Sequence, residues 1–171
     1  MRFPLSAALA LALCITAEPA AALAGQQPLG AVNDLLRATQ AVTVFDHVTA
    51  SGAGAVITLD GKVTSKAKRE QLETEVATVP GVRQVVNRIG VLSASPADEG
   101  LRQRVARAIY GHASFKPYAA MTHPPIRVLV ERGRVTLAGE VRTPIERLVA
   151  TSLAQDAAGR RVGDELRVAG G

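Results

Sequence analysis

Few residues of this 171-residue chain could do chemistry, and their spacing argues against catalysis. The three histidines, His47, His112 and His123, have no second histidine or carboxylate at metal-ligand spacing, apart from Asp46 beside His47. No nucleophile turn of the G-x-S-x-G kind is present, and Gly52-Ala53-Gly54 is not followed by a predicted helix, as a phosphate loop would be. We therefore predict a protein without catalytic residues, metal site or cofactor.

One short stretch combines cationic and aromatic side chains. Of the four aromatic residues beyond position 24, three fall between 110 and 118, directly after a predicted helix with three arginines. Cations beside aromatics are typical of segments that contact anionic lipid headgroups. The candidate lipid-binding residues are Arg102, Arg104, Arg107, Tyr110, Phe115, Lys116 and Tyr118. The alternative is that Leu101, Val105, Ile109 and the aromatics pack inward while the arginines are simply solvated.

The net charge of +5 is unevenly spread along the chain. Residues 25–96 hold seven Lys and Arg against six Asp and Glu, whereas residues 97–171 hold twelve against eight, a net of +4. An exported basic domain meets anionic lipid headgroups or acidic polymers more readily than nucleic acid. We therefore expect anionic phospholipid surfaces or envelope proteins as partners, bound chiefly through the second half, and no nucleic acid.

The first 24 residues are predicted to be a cleaved signal peptide. Arg2 precedes an apolar run, Leu5 to Ile15, that is too short to span a bilayer, and Ala22-Leu23-Ala24 fits the small-x-small cleavage rule. A lipoprotein anchored at Cys14 is disfavoured, because Leu13 stands where a small residue is expected. Cleavage after Ala24 removes the only cysteine, so we expect a periplasmic mature chain without disulfides or a transmembrane span.

An internal repeat organises the rest of the chain. Ile57 to Val63 (ITLDGKV) reappears as Val135 to Val141 (VTLAGEV) at an offset of 78 residues. Their alternating apolar residues predict strands with one buried face, and each strand precedes a helix with a Ser or Thr cap. Both halves read helix–strand–strand–helix–strand. This order predicts an α+β chain of two tandem two-layer sandwiches, each with a three-stranded mixed sheet, at residues 25–93 and 96–169.

Local signals give more detailed expectations. Five glycines receive structural roles, namely Gly61, Gly81, Gly133, Gly139 and Gly159. We attribute Gly61 and Gly139, which interrupt strands, to close packing of a helix on the strand. The last helix is expected to start with a Thr143–Glu146 capping box and to bury a stripe of Ile145, Leu148, Val149, Ser152 and Leu153. A continuous strand is expected over 82–91, a flexible turn over 51–54 and a long loop over 111–125.

These motifs resemble the BON domain, a bacterial module of osmotically inducible periplasmic proteins and nodulation-related secreted proteins. Ile57 to Val63, with G-V-R-Q-V-V-N-R-I-G-V at residues 81–91, matches the pattern well, and Val135 to Val141 with Gly159 and Val162 matches it with a final motif one residue shorter. The resemblance implies a non-enzymatic tandem-BON protein, periplasmic or at the surface, that binds phospholipid membranes or envelope proteins. The alternative is a soluble periplasmic stress or chaperone-like protein that acts through protein contacts.

Overall fold

The computed structural model describes residues 27–93 and 95–170, so the expected signal peptide, its cleavage site and Cys14 lie outside the described residues. Two units follow one another with the same order of elements. The first consists of α1 (Gln27–Ala38), β1 (His47–Ala53), β2 (Val56–Val63), α2 (Lys66–Ala77), β3 (Gln84–Asn87) and β4 (Gly90–Val91). The second consists of α3 (Pro96–Gly111), a 3-10 turn (Ala113–Phe115), α4 (Lys116–Ala119), β5 (Ile126–Glu131), β6 (Arg134–Val141), α5 (Pro144–Ala158) and β7 (Gly163–Val168).

Each unit is a two-layer sandwich with a mixed sheet, as the sequence predicts. In the first unit β2 lies between antiparallel β1 and the parallel strands β3 and β4. In the second unit β6 lies between antiparallel β5 and parallel β7. Every second residue of the central strand faces the helices. These positions hold fully buried apolar side chains, such as Ile57, Leu59, Val135 and Leu137. Each unit has its own buried core.

Three predicted elements differ from the structure. The strand expected over 82–91 is split into β3 and β4, because the Asn87 side chain accepts a hydrogen bond from Ile89 N (3.1 Å) and donates one to Arg69 O (3.1 Å). The expected turn at 51–54 is largely strand, since β1 extends to Ala53. The expected loop over 111–125 contains the 3-10 turn and α4, which place Phe115 and Tyr118 in the core.

Gly61 and Gly139 serve a purpose other than the predicted packing of a helix on a strand. Both have positive φ, +130° and +107°, in the region that favours glycine. A Cβ at Gly61 would overlap the carbonyl oxygen of His47, and one at Gly139 would overlap that of Pro125. Each glycine is therefore packed against backbone, at the first residue of β1 for Gly61 and at the residue before β5 for Gly139. The glycine is needed at the same place in both sheets.

The two units contact each other across the back of the second sheet, the face opposite its helices. Val128 N, at the free edge of β5, donates to Val44 O (2.7 Å), so the chain before β1 runs along that edge. Leu92 packs with Leu129 and Ala138, which alternate along their strands with core residues. Lys62 and Glu131 form a half-exposed ion pair across the boundary (3.4 Å).

Candidate functional site

The helical face of the second unit carries the residues that the sequence marks for lipid binding. Helix α3 runs antiparallel to β5, because Asp98 in its first turn accepts hydrogen bonds from Arg132 N (2.9 Å) and Gly133 N (2.7 Å) in the β5–β6 turn. At its other end the Tyr110 hydroxyl donates to Ile126 O at the start of β5. Helix α5 begins near the end of α3 and returns to the β5–β6 turn. The two helices therefore form an antiparallel pair over the sheet.

The three arginines of α3 separate into two groups. Arg104 and Arg107 are exposed on the outward face of the helix. Arg102 is only 2% exposed, and its guanidinium donates to Ser93 O (2.6 Å), Val130 O (2.9 Å) and the Glu99 carboxylate (3.0 Å). Its Nε has no partner among the described residues. Arg102 thus links residue Ser93 to the edge strand β5. Because its side chain is buried, it cannot contact a membrane surface.

The aromatic residues of the cluster belong to the core. Phe115 and Tyr118 are buried with their rings stacked at a centroid distance of 6.0 Å, and Tyr110 is half-buried. Burial raises the pKa of the Tyr110 hydroxyl well above its ordinary value. Lys116 is exposed at the start of α4. The structure therefore leaves Arg104, Arg107 and Lys116 on the surface and gives the aromatic residues an internal packing role.

The start of α5 holds a network that the sequence predicts only in part. Thr143 Oγ1 accepts from Glu146 N (3.1 Å), which is half of the predicted capping box. The Glu146 carboxylate reaches one residue further back than a capping box requires and accepts from Arg142 N (2.9 Å) and the Tyr118 hydroxyl (2.7 Å). Burial alone would raise the pKa of Glu146, but these hydrogen bonds and the Arg142 guanidinium hold it below its ordinary value.

The predicted buried stripe of α5 is only partly correct. Val149 and Leu153 pack against the core as predicted, but Ile145, Leu148 and Ser152 are exposed. Ala150 and Ala154 are fully buried, whereas Ile145 and Leu148 are 74% and 71% exposed. Small residues at the contact let two helices approach closely, and α3 packs directly on α5. Two large apolar side chains consequently lie on the outward face of α5, beside the helix that carries Arg104 and Arg107.

Asp46 is a buried charged residue that the sequence analysis passes over except as a neighbour of His47. Its carboxylate is fully buried and accepts from the backbone N and hydroxyl of Thr43 and of Thr64, and from Lys68 Nζ at 2.6 Å. Burial would raise the pKa of Asp46, but the hydrogen bonds from Lys68, from the hydroxyl and backbone N of Thr43, and from the backbone N of Thr64 hold it below its ordinary value. Thr43 and Thr64 stand 3 and 18 residues from Asp46 in the sequence, and such a spacing is too common to predict the network. It has a structural role.

Within residues 27–93 and 95–170, no group of three or more His, Cys, Asp or Glu side chains has an arrangement that could hold a metal ion. None of the helices described is both long and apolar enough to cross a bilayer. The fold therefore defines the class of protein as two tandem α+β sandwiches, each with a small mixed sheet.

The family model that matches is the BON domain, at residues 30–93 and again at 97–170. The chain therefore belongs to the BON domain family and carries the domain twice in tandem. This family is non-catalytic, and its proteins are generally periplasmic or associated with the cell envelope.

Comparison with curated proteins gives no match. Two solved structures are similar over most of the chain, and both are of CdsD, a structural protein of the type III secretion system of Chlamydia trachomatis. The first has 18% identity and a TM-score of 0.33, over 85% of this chain and 64% of that one. The second, the C-terminal domain, has 15% identity and a TM-score of 0.29, over 80% and 62%. The chain thus spans less than two thirds of either structure.

Proposed function

We propose that this protein is a non-enzymatic, periplasmic tandem-BON protein that binds anionic phospholipid surfaces through the outward helical face of its second domain. The observation that carries the proposal is the exposure of Ile145 and Leu148 on α5, which packs on the helix that carries the exposed arginines. The predicted signal peptide supports the periplasmic location. A surface that combines cations with exposed apolar side chains suits the boundary between headgroups and acyl chains.

The number of cations on this face sets the expected affinity for an anionic membrane. Each cation near an anionic leaflet contributes about 1 kcal/mol, so Arg104, Arg107 and Lys116 together contribute about 3 kcal/mol, or roughly a hundredfold in affinity. Such binding is weak, reversible and sensitive to salt, because the Debye length falls to about 8 Å at physiological ionic strength. Ile145 and Leu148 add an apolar contribution that salt does not screen.

Co-sedimentation of the mature chain with liposomes tests the proposal. The protein should sediment with phosphatidylglycerol vesicles, should stay in solution with phosphatidylcholine vesicles, and should be released as salt is raised. Changing Arg104, Arg107 and Lys116 together to Gln should abolish binding, and changing Ile145 and Leu148 to Ser should weaken it. Both variants should keep the circular dichroism spectrum, since all five side chains are exposed.

The matched control lies on the first domain, where Lys66, Arg83 and Arg88 are equally exposed. Their change to Gln removes the same charge and should leave binding nearly unchanged. Equal loss from both triple variants would mean that binding follows overall charge and has no located site. Absence of binding by the unaltered, folded protein would refute the lipid proposal and favour the alternative of a stress protein that acts through protein contacts.

A further inference from the structure

A cleft of about 510 Å³ lies between the two domains, away from the helical face. Its walls come from α1 and β1 of the first domain and from the start of β5, the end of β6 and β7 of the second. Each domain contributes two basic side chains that could contact a ligand. They are Arg37 and His47 of the first domain and Arg127 and Arg167 of the second.

The two arginines that the second domain contributes to the cleft are not engaged in ion pairs with the described residues. Among the described residues, neither Arg127 nor Arg167 forms an ion pair with a carboxylate. Arg127 is half-buried and donates to Thr43 O (3.0 Å), which leaves most of its guanidinium donors available. Burial lowers the pKa of Arg127, while Tyr110 and the Asp46 carboxylate act in the opposite direction.

His47 lies close enough to both arginines for their charges to affect its pKa. Its pKa is lowered first by burial and then by the positive charges of Arg127 and Arg167, while Glu165 acts in the opposite direction. Glu140 also lines the cleft, and Arg37 is paired with Asp34 at 3.4 Å. Because Asp34 offsets Arg37, the two arginines of the second domain against Glu140 leave a net charge of +1 with His47 neutral.

We infer that this interdomain cleft binds a phosphate group, held by Arg127 and Arg167 from the second domain and by His47 from the first. Guanidinium groups offer paired donors that match the geometry of phosphate oxygens. Because the ligand contacts both domains, it fixes their relative position. The site is separate from the helical face, and the phosphate could belong to a free phosphate compound or to a lipid headgroup.

Proton NMR of the untagged mature protein tests the site, since His47 is one of only three histidines. Inorganic phosphate, added at constant ionic strength against sodium chloride, should shift the His47 ring signals with saturation in the millimolar range. The signals of His112 and His123, neither of which lines the cleft, should not follow the same curve. Arg167→Gln should weaken the binding roughly tenfold, which is the effect of losing one charge-assisted hydrogen bond.

Arg134→Gln is the matched control, because Arg134 is also exposed on the back of the second sheet but does not line this cleft. A parallel titration with short-chain phosphatidylglycerol below its micelle concentration separates the two ligand sources. Saturation with inorganic phosphate alone assigns the site to free phosphate compounds, and saturation with the lipid alone assigns it to headgroups. Absence of a saturating His47 shift with both probes, or equal weakening by Arg167→Gln and Arg134→Gln, would overturn the inference.

Discussion

Replacing Asp46 by Ala should severely destabilise the first domain. The fully buried carboxylate accepts five hydrogen bonds, and the change leaves Lys68 Nζ and the backbone N–H groups of Thr43 and Thr64 without their acceptor. Breaking a buried ion pair from one side costs about 3–5 kcal/mol. A domain of this size is stable by about 3–10 kcal/mol in total, so the variant domain should be close to unfolding at room temperature.

The chain offers a convenient way to measure this effect. It has no tryptophan, and both tyrosines, Tyr110 and Tyr118, lie in the second domain. In a urea titration, tyrosine fluorescence therefore follows the second domain, while far-ultraviolet circular dichroism follows both. Asp46→Ala should move the first transition seen by circular dichroism to much lower urea and should move the tyrosine transition less.

Two comparisons make the result specific to the buried network. Lys68→Met removes only the cation and leaves four donors on Asp46, so its cost should be smaller, about 1–2 kcal/mol. Asp34→Ala breaks the exposed pair with Arg37 and should change little. Because the pKa of Asp46 is lowered in the folded state, its contribution is present above the ordinary carboxyl value of 3.8 and is lost as the pH falls through the folded pKa. A loss below about 1 kcal/mol at pH 7 would refute this reasoning.

Three further changes follow from local geometry. Thr143→Ala removes the hydroxyl that caps α5 and should cost about 1 kcal/mol in the tyrosine-detected transition; unchanged stability would mean that the cap contributes nothing. Gly139→Ala places a methyl group against Pro125 O at a positive φ and should cost at least about 2 kcal/mol, whereas Gly100→Ala inside α3 should be neutral or stabilising. N-terminal sequencing of exported protein should begin at Gly25, and a lipid-modified chain that begins at Cys14 would contradict the predicted cleavage.

The order of elements could be predicted because its signals are local. The two copies of the repeat, the period-two alternation in β2 and β6, and the Ser65 and Thr143 caps each lie within a few residues of the feature that they determine. The break between β3 and β4 depends instead on Asn87, which reaches a carbonyl group on α2. A pattern confined to one strand could not show that contact.

The sequence predicts the inward face of α5 only in part, with Val149 and Leu153 against the core, and the difference has a physical reason. Choosing the face with the largest apolar residues assumes that volume decides burial, and that choice selected Ile145 and Leu148. On the helix that packs against α3, however, the small side chains of Ala150 and Ala154 are the fully buried ones. Alanines four residues apart were the available signal. This error also concealed the apolar half of the candidate site.

Both domains need a hydrogen-bond acceptor in front of the helix that follows the central strand, and in the second domain this need accounts for Tyr118, a residue proposed from its type to bind lipid. The backbone N–H that precedes each helix cap, at Thr64 and at the equivalent Arg142, needs an acceptor. In the first domain Asp46 supplies it, from the chain before β1. In the second domain Glu146 supplies it, and its carboxylate is in turn held by the Tyr118 hydroxyl.

Tyr118 is therefore explained by the capping of α5, and Phe115 by the core against which it stacks. Arg102 is likewise explained by the carbonyl groups of the linker and of the edge strand. All three side chains are buried, so they cannot reach a headgroup. The side chains left to meet a lipid surface are the exposed arginines of α3 and the exposed apolar pair of α5, Ile145 and Leu148, a different set from the one that residue types alone indicate.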